Sequence, residues 1–365
     1  MRFRSGLLTA ALVLDFPALL VGASLPAGAA EVAESPPLRP VHTYSIVARD
    51  PQTGQLGVAV QSHWFSVGTV VPWAEAGVGA VATQSFADPS YGPAGLDLMR
   101  MGKSAPDALR GLLAADTNRE VRQVAMIDAA GRVAAFTGAR CIAAAGQVVD
   151  ADAQFSVQAN LMASDAVWPA MAAAYRSAKG DLADRMLAAL AAAEQAGGDI
   201  RGRQSAALIV VGSKNTGQPW KDRVFDLRVD DHADPVAEIS RLVRVARAYQ
   251  HMNAGDAALE HDDFDAANRE YTEAARLAPQ TVEIPFWQAV TLVSAGRVTW
   301  RCRCFTTCSN ASRAGRRSCR DSCPPACSRT IPTCSSAFAN RGRHRPDRPQ
   351  RHRPRGRAAS RSCTP

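Results

Sequence analysis

Cysteine is almost missing from most of this chain. Cys141 stands alone before residue 300, and the other eight lie between Cys302 and Cys363. A disulfide scaffold spreads its cysteines around a small fold, so the main body is not one. Cys141 is expected to be a buried small hydrophobe. Also lacking are a phosphate loop, a nucleotide fingerprint and a zinc-protease motif; Gly77-x-Gly79 is too short to count. Neither a cofactor nor a metal is therefore expected. Beyond the N-terminus, no stretch approaches the ~18–20 apolar residues that span a bilayer.

Residues 299–365 lack Leu, Val, Met, Lys, Glu and Tyr altogether. No ordinary folded segment of that length is expected to omit all six. The same stretch holds 16 Arg and 2 Asp, a net of +14; the chain totals +8, so the first 298 residues carry −6. The basic balance describes only the tail. The mildly acidic main body excludes a nucleic-acid partner for the protein as a whole.

The excess of Cys where Leu belongs has a chemical source in GC-rich coding DNA. A Leu codon CTG read one base late contributes TG to a Cys codon. Assigning GC-rich codons to Thr299-Trp300-Arg301-Cys302-Arg303-Cys304-Phe305 and reading them back by one base gives Asp-Val-Ala-Leu-Pro-Leu-Phe. The tail is therefore expected to be a frameshifted, disordered remnant. Competing readings are a basic nucleic-acid arm and a Cys-rich metal or disulfide module, for which Cys302-Arg303-Cys304, Cys319-x3-Cys323 and Cys323-x3-Cys327 supply ligand-like spacings.

The N-terminus reads as a signal peptide over residues 1–30. Arg2 and Arg4 precede an apolar stretch from Leu7 to Val21, and Ala27-Gly28-Ala29 supplies a small-residue cleavage site. The expected location is secreted or periplasmic. Residues 31–41 are a Pro-rich linker.

The main body, residues 42–245, alternates strand and helix signals. Tyr44–Ala48 and Leu56–Val60 flank Asp50-Pro51-Gln52-Thr53-Gly54, which is rich in turn formers, and predict a hairpin. Further strands are expected over Val67–Trp73, Val78–Gln84, Val121–Ile127, Val133–Phe136, Phe155–Asn160, Ala206–Val211 and Val224–Val229. Helices are expected over Pro93–Met101, Ala105–Ala115 with Ser104 as N-cap, Ala166–Lys179, Asp181–Gln195 and Pro235–Tyr249. Hairpins dominate and β-α-β alternation is absent. That pattern predicts an α+β fold with layered antiparallel sheets.

Residues 246–298 change character. Gly255, Phe264, Ala267, Tyr271, Ala274 and Pro279 fall where a tetratricopeptide repeat places its small, aromatic and stop residues. Stepping on by 34 residues puts Ala289 where Gly255 was, and the restored Ala and Phe fall on positions 301 and 305. A second repeat thus begins and is cut short near Val298. An ordinary helical hairpin is the alternative.

Several dense polar motifs remain. They include His42–Asp50, Gly57–His63, Val71–Gln84, Tyr91-Gly92, Gln158–Leu161, the run Gly197–Leu208 (GGDIRGRQSAAL) and Asp226–Pro235 (DLRVDDHADP). Together they resemble a family of bacterial and archaeal proteins known as domain of unknown function 1028, from about Thr43 to about Leu242. That family is grouped by fold with the N-terminal-nucleophile (Ntn) hydrolases. The resemblance implies a sandwich of two antiparallel sheets flanked by helices and leaves the reaction open. Some similar members carry an extra C-terminal module, a peptidoglycan-binding one among them.

In Ntn hydrolases a Thr, Ser or Cys opens the first strand and becomes the chain terminus, and its own α-amine, with a pKa of roughly 8, serves as base. Thr43 sits where such a residue would. Cleavage near Ala30 leaves about a dozen residues ahead of it, so the mechanism needs a second cut at His42–Thr43. The plain alternative is a strand residue.

Ser62 and His63 are adjacent on a strand and point to opposite faces, so they do not form a dyad. Gln84 ends an apolar strand, where an amide orients substrate or closes a strand-end hydrogen bond. Asn160 is a candidate oxyanion donor with Gln84. Asp199, Arg201, Arg203 and Gln204 share a Gly-rich loop; the two Arg either hold a substrate carboxylate or lock onto Asp199. Asp230, Asp231, His232 and Asp234 are hard-ligand types, but Pro235 after Asp234 favours a helix cap over a metal site.

The sequence is thus expected to encode an exported Ntn-type hydrolase of an amide bond, with Thr43 as nucleophile and a small molecule or peptide as substrate. The alternative is a non-catalytic ligand- or protein-binding domain on the same fold, whose helical repeat recruits a protein partner. A homo-oligomer is the expected assembly.

Overall fold

A computed structural model describes residues 43–294. The expected signal peptide, the linker, His42 and the tail from residue 299 lie outside the described residues.

The chain opens with β1 (Thr43–Arg49) and β2 (Leu56–Ser62), the expected hairpin. Then follow β3 (Pro72–Glu75), β4 (Gly79–Ser85), α1 (Tyr91–Arg100), α2 (Ala105–Ala115), β5 (Arg122–Asp128) and β6 (Val133–Thr137). Next come β7 (Gly146–Asp150), β8 (Phe155–Ala159), α3 (Val167–Ser177), α4 (Leu182–Gln195) and β9 (Ser205–Val211). The described chain closes with α5 (Pro219–Asp222), β10 (Arg223–Val229), α6 (Pro235–Glu260), α7 (Phe264–Leu277) and α8 (Glu283–Ser294). The class is α+β.

Two antiparallel sheets result. One runs β10-β9-β2-β1-β8-β7, the other β3-β4-β5-β6. Alternation along each strand sorts side chains to two faces. Val47, Val58, Val60, Ala82 and Ile127 fill the space between the sheets. Ile46, Ala59, Phe155 and Leu208 point the other way, onto Met171, Leu182 and Leu190 of α3 and α4. Val81, Val124 and Met126 pack under Leu96 and Leu109 of α1 and α2. Each fully buried Val or Leu contributes roughly 1.5–3 kcal/mol, so three apolar seams hold four layers together.

N-caps begin three of the helices, Ser104 and Asp234 as the sequence suggests and Asp181 in addition. Ser104 Oγ accepts from the Asp107 amide at 3.1 Å, and Asp181 and Asp234 cap α4 and α6 at 3.0 and 3.2 Å. Four elements differ from expectation, the short helix α5 among them. Val67–Thr69 is a 3₁₀ turn, held by the Val70 and Val71 amides donating to the Val67 carbonyl at 3.1 Å, with Val67 and Val71 both buried. β7 is an added edge strand with half-exposed residues, which gives it no alternating signal. α6 runs on past Tyr249 to Glu260, since no stop residue ends it.

α6, α7 and α8 pack around Ala248, Met252, Ala267, Tyr271, Ala274 and Ile284. Gly255 lets the Tyr271 ring approach; a Cβ there would sit 3.1 Å from the ring edge. Among the described residues, no helix is long and apolar enough to cross a membrane.

Candidate functional site

Between the sheets, the inward positions change chemistry along the strands. At one end they are Val and Ala. At the other they become Thr43 and Ser45 on β1, Ser62 on β2, Gln84 on β4, Gln123 on β5, and Gln158 and Asn160 at the end of β8, all fully buried. Buried polar groups require partners, and these find one another. The Thr43 hydroxyl donates to Ser62 Oγ at 3.1 Å, across the register that pairs Thr43 with Ser62. The Thr43 carbonyl accepts from Gln84 Nε2 at 3.1 Å, the Asn160 amide at 3.1 Å and Asn160 Nδ2 at 3.4 Å.

Gln123 ties these groups together. Its Oε1 accepts from Gln84 Nε2 at 2.7 Å and Asn160 Nδ2 at 2.9 Å, while its Nε2 reaches the Ala159 carbonyl at 2.9 Å. Ser45 donates to Gln84 Oε1 at 2.6 Å and accepts from Gln158 Nε2 at 2.6 Å.

The Gly-rich loop closes the same end of the six-stranded sheet. Gly197 and Gly198 have φ of 111° and 57°, and a Cβ on Gly197 would press on Ala163 at 2.8 Å. The bend brings Asp199 to the His63 amide at 3.3 Å, one residue past Ser62. Arg201 grips the buried Asp199 carboxylate through Nη2 at 2.6 Å and Nε at 3.1 Å. Arg203 pairs with Glu194, and with Asp234 at 3.6 Å. Glu194 also takes the Tyr44 hydroxyl proton in a hydrogen bond. Burial, then the Glu194 charge, pushes the Tyr44 hydroxyl well above its ordinary pKa and keeps it a donor. Gln204 contributes its main-chain carbonyl, which accepts from His232 at 2.8 Å.

Sequence reasoning thus named residues that the fold gathers. Thr43, Gln84 and Asn160 touch directly. Asp199 and Arg201 lie one residue beyond, and Arg203 sits on the helix-facing side. Ser45, Gln123, Gln158 and Glu194 were missed, although a lone Gln in the apolar run Val121–Ile127 carried the same signal as Gln84. His63 lies just past the end of β2, and its Nδ1 meets the Arg203 carbonyl at 3.3 Å. Asp230 accepts from Ser66 Oγ at 2.6 Å and Asp234 caps α6, so these acids serve local structure. Cys141 is half-buried, not buried as expected, and its thiol donates to the Arg122 carbonyl at 3.3 Å. Among the described residues, no three of His, Cys, Asp or Glu cluster to hold a metal ion.

Residues 43–239 match the family of unknown function DUF1028, more than half of the chain. The chain belongs to that family. Its DUF1028 domain begins at Thr43, the first residue of β1. A crystal structure of the DUF1028 protein SPO2555 from Silicibacter pomeroyi is similar to it, at 31% identity and a TM-score of 0.50, over 60% of this chain and 88% of that one. No curated protein matches the chain.

Proposed function

We propose that this DUF1028 chain is an exported Ntn-type hydrolase acting on an amide bond in peptide or cell-wall material. The observation that carries the reading is the placement of Thr43. It opens β1, its hydroxyl rests on Ser62, and its carbonyl is fixed by Gln84 and Asn160 inside the polar end of the sandwich. Two facing antiparallel sheets with helices outside agree with the Ntn grouping of the family.

The chemistry follows from the position of Thr43 at the start of β1. A cut at His42–Thr43 gives Thr43 an α-amine, the group then left to act as base, with a pKa of roughly 8. Thr43 Oγ1 adds to the substrate carbonyl carbon as its proton passes to that amine. The amine returns the proton to the leaving nitrogen, the C–N bond breaks, and an ester remains on Thr43. Water hydrolyses the ester through the same relay. Asn160 Nδ2 holds the Thr43 carbonyl at the long distance of 3.4 Å, so a developing oxyanion competes well for it. Arg203 is proposed to exchange its Glu194 and Asp234 partners for a substrate carboxylate, with Gln204 and the Asp199–Arg201 pair beside it.

The test compares Thr43→Ser with Thr43→Ala on peptide and cell-wall amides. The Ser chain is expected to retain hydrolysis and the Ala chain to lose it by at least a hundredfold. Equal rates in both would remove Thr43 from the reaction.

A second reading rests on burial. Thr43 is fully buried and Arg201 is engaged by Asp199, which favours a binding domain if no second cut occurs. In either reading, α6–α8 form a tetratricopeptide-like segment that recruits a protein partner, and the body assembles as a homo-oligomer.

A further inference from the structure

Three side chains line up across the four-stranded sheet at its polar end. Gln84 on β4, Gln123 on β5 and Thr137 on β6 are register partners, so they share one face. Gln123 stands in the middle and is fully buried. The hydrolysis proposed above assigns it nothing.

Main chain forces its orientation. Gln123 Nε2 stands 2.9 Å from the Ala159 carbonyl and 3.2 Å from the Gly146 carbonyl, on β8 and β7 of the opposite sheet, and 2.9 Å from Thr137 Oγ1. A main-chain carbonyl only accepts, so the Gln123 nitrogen has to face that way and its oxygen the other. Oε1 therefore meets Gln84 and Asn160 as an acceptor, and each of those amides has to present N–H to it, at 2.7 and 2.9 Å. The two amides differ in what else holds them. Gln84 is set independently: Ser45 donates to its oxygen at 2.6 Å, and the Thr43 and Gln158 carbonyls lie 3.1 and 3.3 Å from its nitrogen. Asn160 Nδ2 reaches Gln123 at 2.9 Å and the Thr43 carbonyl only at 3.4 Å.

We propose that Gln123 is a positioning residue for the Asn160 amide, keeping its N–H bonds turned toward Thr43 by presenting an oxygen that the opposite sheet holds in place. A flipped Asn160 would set its own oxygen against Gln123 Oε1 and the Thr43 carbonyl, acceptor against acceptor with no proton between them. With Asn160 fixed, a donor stands beside Thr43 before negative charge develops there, and none has to reorganise when it does. The effect on rate rests on the proposed hydrolysis; the effect on the amide rests on the hydrogen bonds alone.

Hydrogen exchange of side-chain NH2 groups in the full chain, labelled with nitrogen-15 at Asn and Gln, reads the amides directly. In Gln123→Met the Asn160 protons are expected to exchange at least tenfold faster than in the parent, and the Gln84 protons to stay within threefold. Gln123→Glu is the conservative variant. Burial among carbonyl oxygens keeps its carboxyl protonated at neutral pH, so it accepts at one oxygen and donates at the other. It is expected to hold Asn160 exchange within threefold of the parent. Thr137→Val removes one anchor of Gln123 from a half-buried position. It is expected to speed Asn160 exchange by a few fold, and it decides the matter if Gln123→Met does not fold. On amides that the parent hydrolyses, Gln123→Met is expected to lower kcat at least tenfold with KM within twofold, and Gln123→Glu to recover most of the loss. Asn160 exchange unchanged in Gln123→Met, Asn160 and Gln84 rising together, or an unaltered kcat would each overturn the proposal. A parent that hydrolyses no amide would remove the reaction instead, and the exchange result would still stand.

Discussion

Arg122 is 4% exposed and is held between the Asp116 carboxylate at 2.8 Å and the Phe86 carbonyl at 2.6 Å. Removing one partner of a buried ion pair strands the other charge. Asp116→Asn is therefore expected to cost about 3 kcal/mol in urea unfolding at neutral pH. Burial works to raise the Asp116 carboxyl, but Arg122, the Asn118 amide and Tyr91 outweigh it and hold its pKa below the ordinary carboxylate value. A lowered folded pKa gives stability that is full above pH ~4 and is lost as pH falls through the folded value. Acid titration of the parent and of Asp116→Asn is expected to show that loss only in the parent. Gln61 presents the opposite case: both its amide atoms are buried without partners among the described residues. Gln61→Met is expected to match or exceed the parent's melting temperature, since an unpaired buried amide costs about 1–3 kcal/mol. A clear drop would show that Gln61 has a partner in solution. Residue-level signals explain what the sequence disclosed of the site. Gln84 and Asn160 stand out because polar groups ending apolar strands need a use. The Tyr44–Glu194–Arg203 chain does not, because it joins residues 150 positions apart that only packing brings together.

At the scale of elements, α7 depends on one aromatic. Tyr271 is fully buried against Gly255 and donates to Asp256. Tyr271→Ala is expected to cost about 3–5 kcal/mol. Hydrogen exchange should rise over the C-terminal half of α6 and over α7, while the sheets stay protected; uniform loss of protection would mean that the hairpin and sandwich unfold as one unit. That two helices pack here is legible in the small and aromatic residues Gly255, Ala267, Tyr271 and Ala274, which form their contact. The β1–β2 and β5–β6 hairpins were readable because turn residues and alternation agree. Elsewhere local pattern and tertiary demand part ways. Val67–Val71 looks like strand, yet its amides close a turn onto the Val67 carbonyl instead of pairing with a neighbouring strand. β7 borrows its order from β8 and shows little of its own.

Across the whole molecule, charge and composition divide the chain near residue 299. Among the described residues α8 leaves Phe286, Trp287 and Val293 exposed, and the repeat reading expects a following helix to cover them. The frameshift reading expects the gene's alternative frame after about codon 298 to encode Leu- and Ala-rich helix with repeat spacing; a single frame with no such segment would end that reading. The sandwich itself poses a sharper question, because its polar end has a nucleophile only if the chain begins there. Export is expected to leave a terminus near Glu31, and catalysis requires a further cut. N-terminal sequencing and intact mass of the mature protein decide the matter most directly. A chain that starts at Thr43 is the expected result; one that starts near Glu31 and keeps the linker in the functional state would contradict the hydrolase.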